Sequence, residues 1–187
     1  VYLKGTQILR QGADATNPQA ADYNFQSVTL DVRYGTQAQS YIPGFSDIED
    51  EKSVNTIVTK ASPLTRTISD SNVDAVRVTI SIPRLERYTT EGDVYGTSVN
   101  LLIQVQYNGG GYTTVIDDTI TGRTADQYQR DYKVNLNGAF PVDVRLVRVT
   151  DDSLDTNLLN DIYWSSYTEI IEEKLRYPNS AIVSMRL

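Results

Sequence analysis

The sequence predicts an all-β chain folded as an antiparallel β-sandwich with very little helix. Three observations carry this prediction. Apolar and polar residues alternate in several separate runs, the period of a strand with one buried face. Glycine, asparagine and proline punctuate the gaps between runs. The runs number about eight or nine, at the spacing expected of sandwiches and barrels.

Taken in order, Val28, Leu30, Val32 and Tyr34 alternate over residues 28–34 and stop at Gly35. Short strand-like runs follow at 57–59 and 65–68. Val76, Val78, Ile80 and Ile82 give the clearest alternation, a strand whose every second side chain faces a core. Val99, Leu101, Ile103, Val105 and Tyr107 repeat it, and Leu102 on the other face marks a more buried, central strand. Asn108, Gly109, Gly110 and Gly111 tolerate positive φ, and 112–116 restarts a strand, so the whole reads as a β-hairpin. Residues 133–136 add a further strand. After Pro141, Val142, Val144 and Leu146 alternate, and Val147 and Val149 then switch face, which predicts a β-bulge or burial on both sides. Residues 163–171 and the alternating close from Ile182 to Leu187 complete the series. Helix is confined to a turn or two within 155–161, where Thr, Asn and Asp compete with helical hydrogen bonding. Stretches 11–22 and 35–52 read as exposed loops, the second with Pro43, Gly44 and an acidic run.

With neither internal repeat nor linker, residues 1–187 read as a single β-sandwich module. The apolar opening at Val1, Tyr2 and Leu3 and the strand-like close predict a piece excised from a longer protein, its end strands shared with a flanking domain.

Composition narrows the function. There is no Cys, so disulfides, thiolate nucleophiles and Cys-ligated metals are excluded. There is no His either, which removes the side chain most used as a general base near neutral pH. A net charge of −7 is wrong for a surface that neutralises phosphates, so no nucleic acid is expected as a partner. No window has the length of apolar sequence that a membrane span needs, and the reading expects a soluble piece without membrane insertion.

The candidate chemistry is thin. Asp151, Ser153, Asp155 and Asn157 place alternating oxygen donors as at the start of a calcium loop, but Thr156 stands where the turn glycine belongs and Ile162 where the bidentate Glu belongs. A solvated loop is the preferred reading, so no metal and no cofactor are assigned. Asp47, Glu49, Asp50 and Glu51 form a second acidic cluster, suited to a cation or a basic partner surface and more simply read as an exposed loop. The pairs Asp117 and Asp118, and Glu172 and Glu173, invite a glycosidase reading, but neighbours on a strand point to opposite faces and cannot converge on one bond. Catalytic residues are therefore none. Tyr is abundant, 13 against 3 Phe and 1 Trp, which weakly favours contact surfaces. Trp164 and Tyr167 are expected to pack in the core with their polar atoms bonded, ahead of a Tyr-lined carbohydrate site.

The segment from Trp164 through Ser165, Ser166, Tyr167, Thr168 and Glu169 to Ile171, followed by Tyr177, Pro178, Asn179 and Ser180, resembles the tail-tip host-specificity protein J (tip attachment protein) family of lambda-like phages and prophages. Leu64 to Ile68, Asn72 to Asp74, the 101–110 hairpin and Gly122 to Tyr128 follow that family in the same order. The resemblance is looser before about Ile57. It implies a region near the N-terminal end of such a protein, in or next to a domain of the tail hub, with the receptor-binding part elsewhere, at the far C-terminal end. It further implies a non-catalytic structural module of the virion tail tip, synthesised in the bacterial cytoplasm, that serves tail assembly and host attachment. Its partners would be other tail-tip proteins and other regions of the same protein, as a homotrimer in the virion, with the isolated fragment a monomer. The matching positions Trp164, Tyr167, Tyr177, Pro178 and Asn179 read as structural, with Tyr177 and Pro178 holding an extended approach to the last strand. In architecture the module is expected to be similar to fibronectin type III or carbohydrate-binding modules. A host-surface or carbohydrate-binding adhesion module is the first alternative, and an enzyme acting on cell-wall glycan the second and weaker one.

Overall fold

The structure, a computed structural model, describes residues 2–15 and 17–186, so expectations touching Val1 and Leu187 lie outside the described residues. The first strands are β1 (Tyr2–Leu3), β2 (Thr6–Gln7) and β3 (Thr29–Tyr34). Next come β4 (Ile48–Val58), β5 (Leu64–Ile68), β6 (Ala75–Ile82), β7 (Glu86–Tyr88), β8 (Val94–Tyr95), β9 (Thr97–Tyr107) and β10 (Thr113–Gly122). The series ends with β11 (Tyr128–Asn135), β12 (Val142–Arg148), β13 (Leu158–Leu159), β14 (Ile162–Ile171) and β15 (Ala181–Arg186). Among the described residues the helix amounts to one 3-10 turn, Ala20–Asp22. The chain divides into two compact units, Val1–Asp47 with Glu172–Leu187, and Ile48–Ile171.

The second unit is the sandwich. One antiparallel sheet has the order β10-β9-β12-β5 and the other β11-β6-β14-β4. The alternating residues of both meet in one core: Val76, Val78, Ile80 and Ile82 of β6 face Leu101 and Ile103 of β9 and Val142 and Leu146 of β12, all fully buried. Each such aliphatic side chain contributes roughly 1.5–3 kcal/mol by leaving water. The β9–β10 hairpin forms as the sequence predicts. Asn108 and Gly109 take φ of 45° and 74°, and the Gly110 N–H donates to the Tyr107 carbonyl at 2.9 Å, the two-residue turn that matches strand twist. The hydroxyl of Tyr132 on edge strand β11 donates to Asp118 Oδ2 on edge strand β10 at 2.7 Å, a bond from sheet to sheet across the side of the sandwich.

Three expectations are corrected here. The loop expected over 35–52 ends early, because residues 48–52 belong to β4, an edge strand whose backbone pairs with β14 while its charged side chains stay in water, so that it reads as loop. The bulge expected near Val147 is absent: β12 keeps an unbroken register with both neighbours, and the inward position after Leu146 is taken by Arg148, 2% exposed. The helical turn expected within 155–161 is instead a tight turn followed by β13; Asp155 Oδ1 accepts the Asn157 N–H at 2.9 Å and the Asp155 carbonyl accepts the Leu158 N–H at 3.1 Å.

The register of β14 does shift, between Trp164 and Ser166, against both β4 and β6. Trp164 lies opposite core residue Ile80, and beyond the shift Tyr167 lies opposite core residue Val78, so relative to β6 Ser165 is the extra residue of a bulge, whereas relative to β4 the extra residue lies on β4, between Ser53 and Thr56. As a result Ser166 and Thr168 share the outer face with Thr79 and Arg77.

The first unit is smaller. Leu9 bridges Tyr23, and β3 pairs with β15 as a two-stranded ribbon. Gln39, 6% exposed, clamps it: Nε2 donates to the carbonyls of Arg176, Tyr177 and Ser180 at 2.7–3.0 Å, while Oε1 accepts the Gly35 N–H at 2.8 Å. Gly35, at φ 82°, lies so close to the 179–181 backbone that an added Cβ would meet Ala181 N at 3.3 Å.

Candidate interaction surface

The proposed cation loop is built on protein cations. Lys60 Nζ lies 2.5 Å from Asp151 Oδ1, and the Lys60 N–H donates to both Asp152 oxygens at 3.0–3.1 Å. Lys60 also holds the Asp151 carboxyl below the usual carboxylate range, chiefly through that hydrogen bond. The Asp151 carbonyl accepts from Arg148 at 3.3 Å, Ser153 Oγ accepts the Asp155 N–H at 3.0 Å, and Asp155 caps Asn157. Among the described residues no group of three or more His, Cys, Asp or Glu is placed to hold a metal ion.

Arg148, which sequence reasoning missed, organises this end of the sandwich. Its guanidinium donates to the carbonyls of Thr150 and Asn160 and to Asn160 Oδ1, and pairs with Asp152 at 3.2 Å. An arginine at an inward position of an apolar alternation is the only sequence signal that could have found it.

The Asp117 and Asp118 carboxylates are held by different partners. Asp117 accepts from Asn100 Nδ2 at 2.9 Å, whereas Asp118 receives Tyr132 and lies 3.2 Å from Arg130. In the acidic cluster, Glu49 forms a bidentate pair with Arg77 at 2.6 and 2.9 Å, Asp50 lies 3.4 Å from Lys52, and Glu51 accepts the Ser166 hydroxyl at 2.6 Å. Arg77 lowers the Glu49 pKa, its hydrogen bond being the largest cause and burial opposing it.

Of the family-motif residues, Trp164 is fully buried, donates Nε1–H to the Ser166 carbonyl at 2.8 Å and meets the Tyr167 ring edge-on at 6.2 Å. Tyr177 meets Phe45 edge-on at 5.7 Å. The extended approach expected at Tyr177 and Pro178 is corrected: Tyr177 has φ 47°, the Ser180 N–H donates to the Tyr177 carbonyl, and Asn179 sits at φ 63° after Pro178. Proline followed by a left-handed asparagine is the signature of a type II turn.

Two surfaces remain. On the sandwich, the outer face of the β11-β6-β14-β4 sheet forms a polar concavity of about 490 Å3 with hydroxyls on its floor and charged side chains around it. On the first unit, register puts Leu30, Val32 and Tyr34 on the same ribbon face as Ala181, Val183 and Met185. Leu30 is buried at 6% and Val32 half-buried, whereas Tyr34 is 62% exposed, Val183 52% and Met185 38%.

Two antiparallel four-stranded sheets closed on one core define a β-sandwich module of the fibronectin type III kind. The family model of the FNIII-A domain of tip attachment protein J matches residues 48–173, and the chain belongs to that family. It is 37% identical over 187 residues to tip attachment protein J of Escherichia phage SECphi4, covering 98% of this chain and 16% of that protein. It is 33% identical over 161 residues to tip attachment protein J of Escherichia phage SECphi27, covering 86% of this chain and 14% of that protein. The chain thus spans about a sixth of the length of these curated relatives. Among solved structures, dimeric latent PorU from Porphyromonas gingivalis is similar at 10% identity and a TM-score of 0.41, over 75% of this chain and 13% of that one, too distant to carry an argument.

Proposed function

We propose that the chain is a non-catalytic structural module of a phage tail-tip hub, located in the virion tail tip and made in the bacterial cytoplasm, where it serves tail assembly and host attachment. The observation that supports this most is the β3–β15 ribbon. On its apolar face Leu30 is buried and Val32 half-buried, whereas Tyr34, Val183 and Met185 stay exposed, and these three gain most when another surface covers them. The family membership supplies the setting, in which the covering surface is another region of the same long protein or a neighbouring tail protein. The sandwich unit, continuous in sequence between the two parts of the ribbon unit, is then a module set within a hub domain. The assembled hub is a homotrimer, whereas the isolated 187-residue chain is a monomer at micromolar concentration.

The test is binding of the labelled chain to intact host cells, together with its ability to block adsorption of a related phage. The hub reading expects neither from a folded chain. Saturable binding with competition replaces it with host-surface adhesion.

A further inference from the structure

We propose that the free edge of β15 pairs with a further β-strand, an extended segment with alternating apolar side chains supplied by another part of the same long protein. The two edges of the β3–β15 ribbon differ. On β3, the Leu30 N–H donates to the Tyr23 hydroxyl at 3.0 Å and the Val32 carbonyl accepts from Arg33 Nη1 at 2.9 Å. Arg33 also reaches the Ser40 and Tyr41 carbonyls at 3.0 and 3.2 Å, so the chain's own loops close that edge. These bonds also fix which way the ladder faces. In an antiparallel pair, opposite residues either exchange both backbone bonds or both turn their groups away. Leu30 and Val32 turn away, so their partners Met185 and Val183 point N–H and C=O outward, along the far side of β15. Among the described residues no backbone hydrogen bond meets those groups.

The composition of that edge is a second, independent feature. An edge that stays in water is ordinarily guarded by charge, proline, a bulge or brevity, because unpaired backbone groups recruit other strands. The sandwich edges obey this. β4 carries Glu49, Asp50 and Glu51, and β11 carries Arg130 and Asp131. β10 carries Asp117 and Asp118 and a register shift between Thr114 and Ile116, while β5 has only 5 residues. The run from Ala181 to Met185 in β15 has no charge, no proline and no break in register. Beside the open backbone groups stand the exposed side chains of Val183 and Met185, so one added strand satisfies the edge and extends the apolar face at the same time. The same protein is the favoured source. The chain spans 16% of the length of a curated relative, and a tethered segment meets the edge at an effective concentration of about millimolar. A second copy arrives only at its bulk concentration and brings a further net charge of −7. The proposal rests on the reading that the ribbon is covered in the assembled protein, and adds that the cover is bonded to it as a strand.

The test is hydrogen exchange at the Val183 and Met185 amides, compared between the 187-residue chain and the full-length protein that contains it. Both amides are expected to exchange freely in the 187-residue chain and to slow by about a hundredfold in the full-length protein. Val183→Pro removes one outward N–H without touching the ladder to β3, and in the full-length protein it should restore fast exchange at Met185. Val183→Thr keeps the N–H and should leave Met185 slow. Fast exchange at both amides in the wild-type full-length protein overturns the proposal yet leaves the covered face standing, since an apolar cover needs no edge bonds. Slow exchange in the 187-residue chain that deepens with its concentration gives the edge to a second copy and overturns the proposal as well.

Discussion

Arg148 donates Nη2–H to Asn160 Oδ1 at 2.8 Å and Nη1–H to the Asn160 carbonyl at 2.7 Å, joining the last residue of β12 to a residue just before β14. Asn160 in turn donates to the Ser98 carbonyl at 3.1 Å, which extends the connection to β9. Arg148→Met fills much of the same space but leaves the Asn160 oxygens and the Thr150 carbonyl without their donor. Chemical denaturation is expected to show a loss of about 2–4 kcal/mol. Arg148→Lys should recover only part of it, since one ammonium cannot span those acceptors.

The Glu49–Arg77 pair makes stability depend on pH in a defined direction. The folded pKa of Glu49 lies below its ordinary value of 4.5, so its contribution is complete above that value and is lost as the pH falls from 4.5 through the lowered one. Both side chains are partly exposed, at 43% and 32%, so after solvent screening the contribution is under about 1 kcal/mol. Thermal melts of wild type and Glu49→Gln should differ at neutral pH and converge in acid.

Tyr132→Phe removes the bond to Asp118 while keeping the ring. Burial, and then the Asp118 hydrogen bond, hold the Tyr132 pKa far above the usual phenol value, so the hydroxyl stays protonated and donates across the ordinary pH range. A destabilisation of about 1 kcal/mol is expected in urea titrations, without a change of fold.

Gln39→Ala deletes the clamp on the 176–180 turn. Hydrogen exchange should quicken at the β3–β15 amides by an amount equivalent to about 1–3 kcal/mol of local stability, while β6 amides in the sandwich keep their protection.

Period-2 alternation made β6, β9 and the β9–β10 hairpin legible, because in those strands one face is apolar and buried throughout. It failed where inward and apolar part company. Arg148 occupies a core-facing position, so hydropathy alone moves the alternation onto Val147 and Val149. The residues of β4 are charged because it is an edge, and an edge strand looks like a loop. The outer concavity depends on the bulge at Ser165, which changes which side chains of β14 share a face with those of β6, and no local pattern announces it. The turn at Pro178 and Asn179 was within reach, since proline before asparagine is a known type II pairing, but the preference of the residue before proline for extended backbone outweighed it.

The central claim is that the exposed ribbon face is covered in the assembled tail tip. The direct measurement is tail assembly in a related phage carrying Tyr34→Asp and Val183→Asp in the full-length protein, scored by electron microscopy of virions and by plaque counts. Both positions are exposed, so the 187-residue chain itself should still fold, which circular dichroism checks. Tails without a completed tip, with infectivity lost, are the predicted result; normal tips and normal plaque counts would contradict the account.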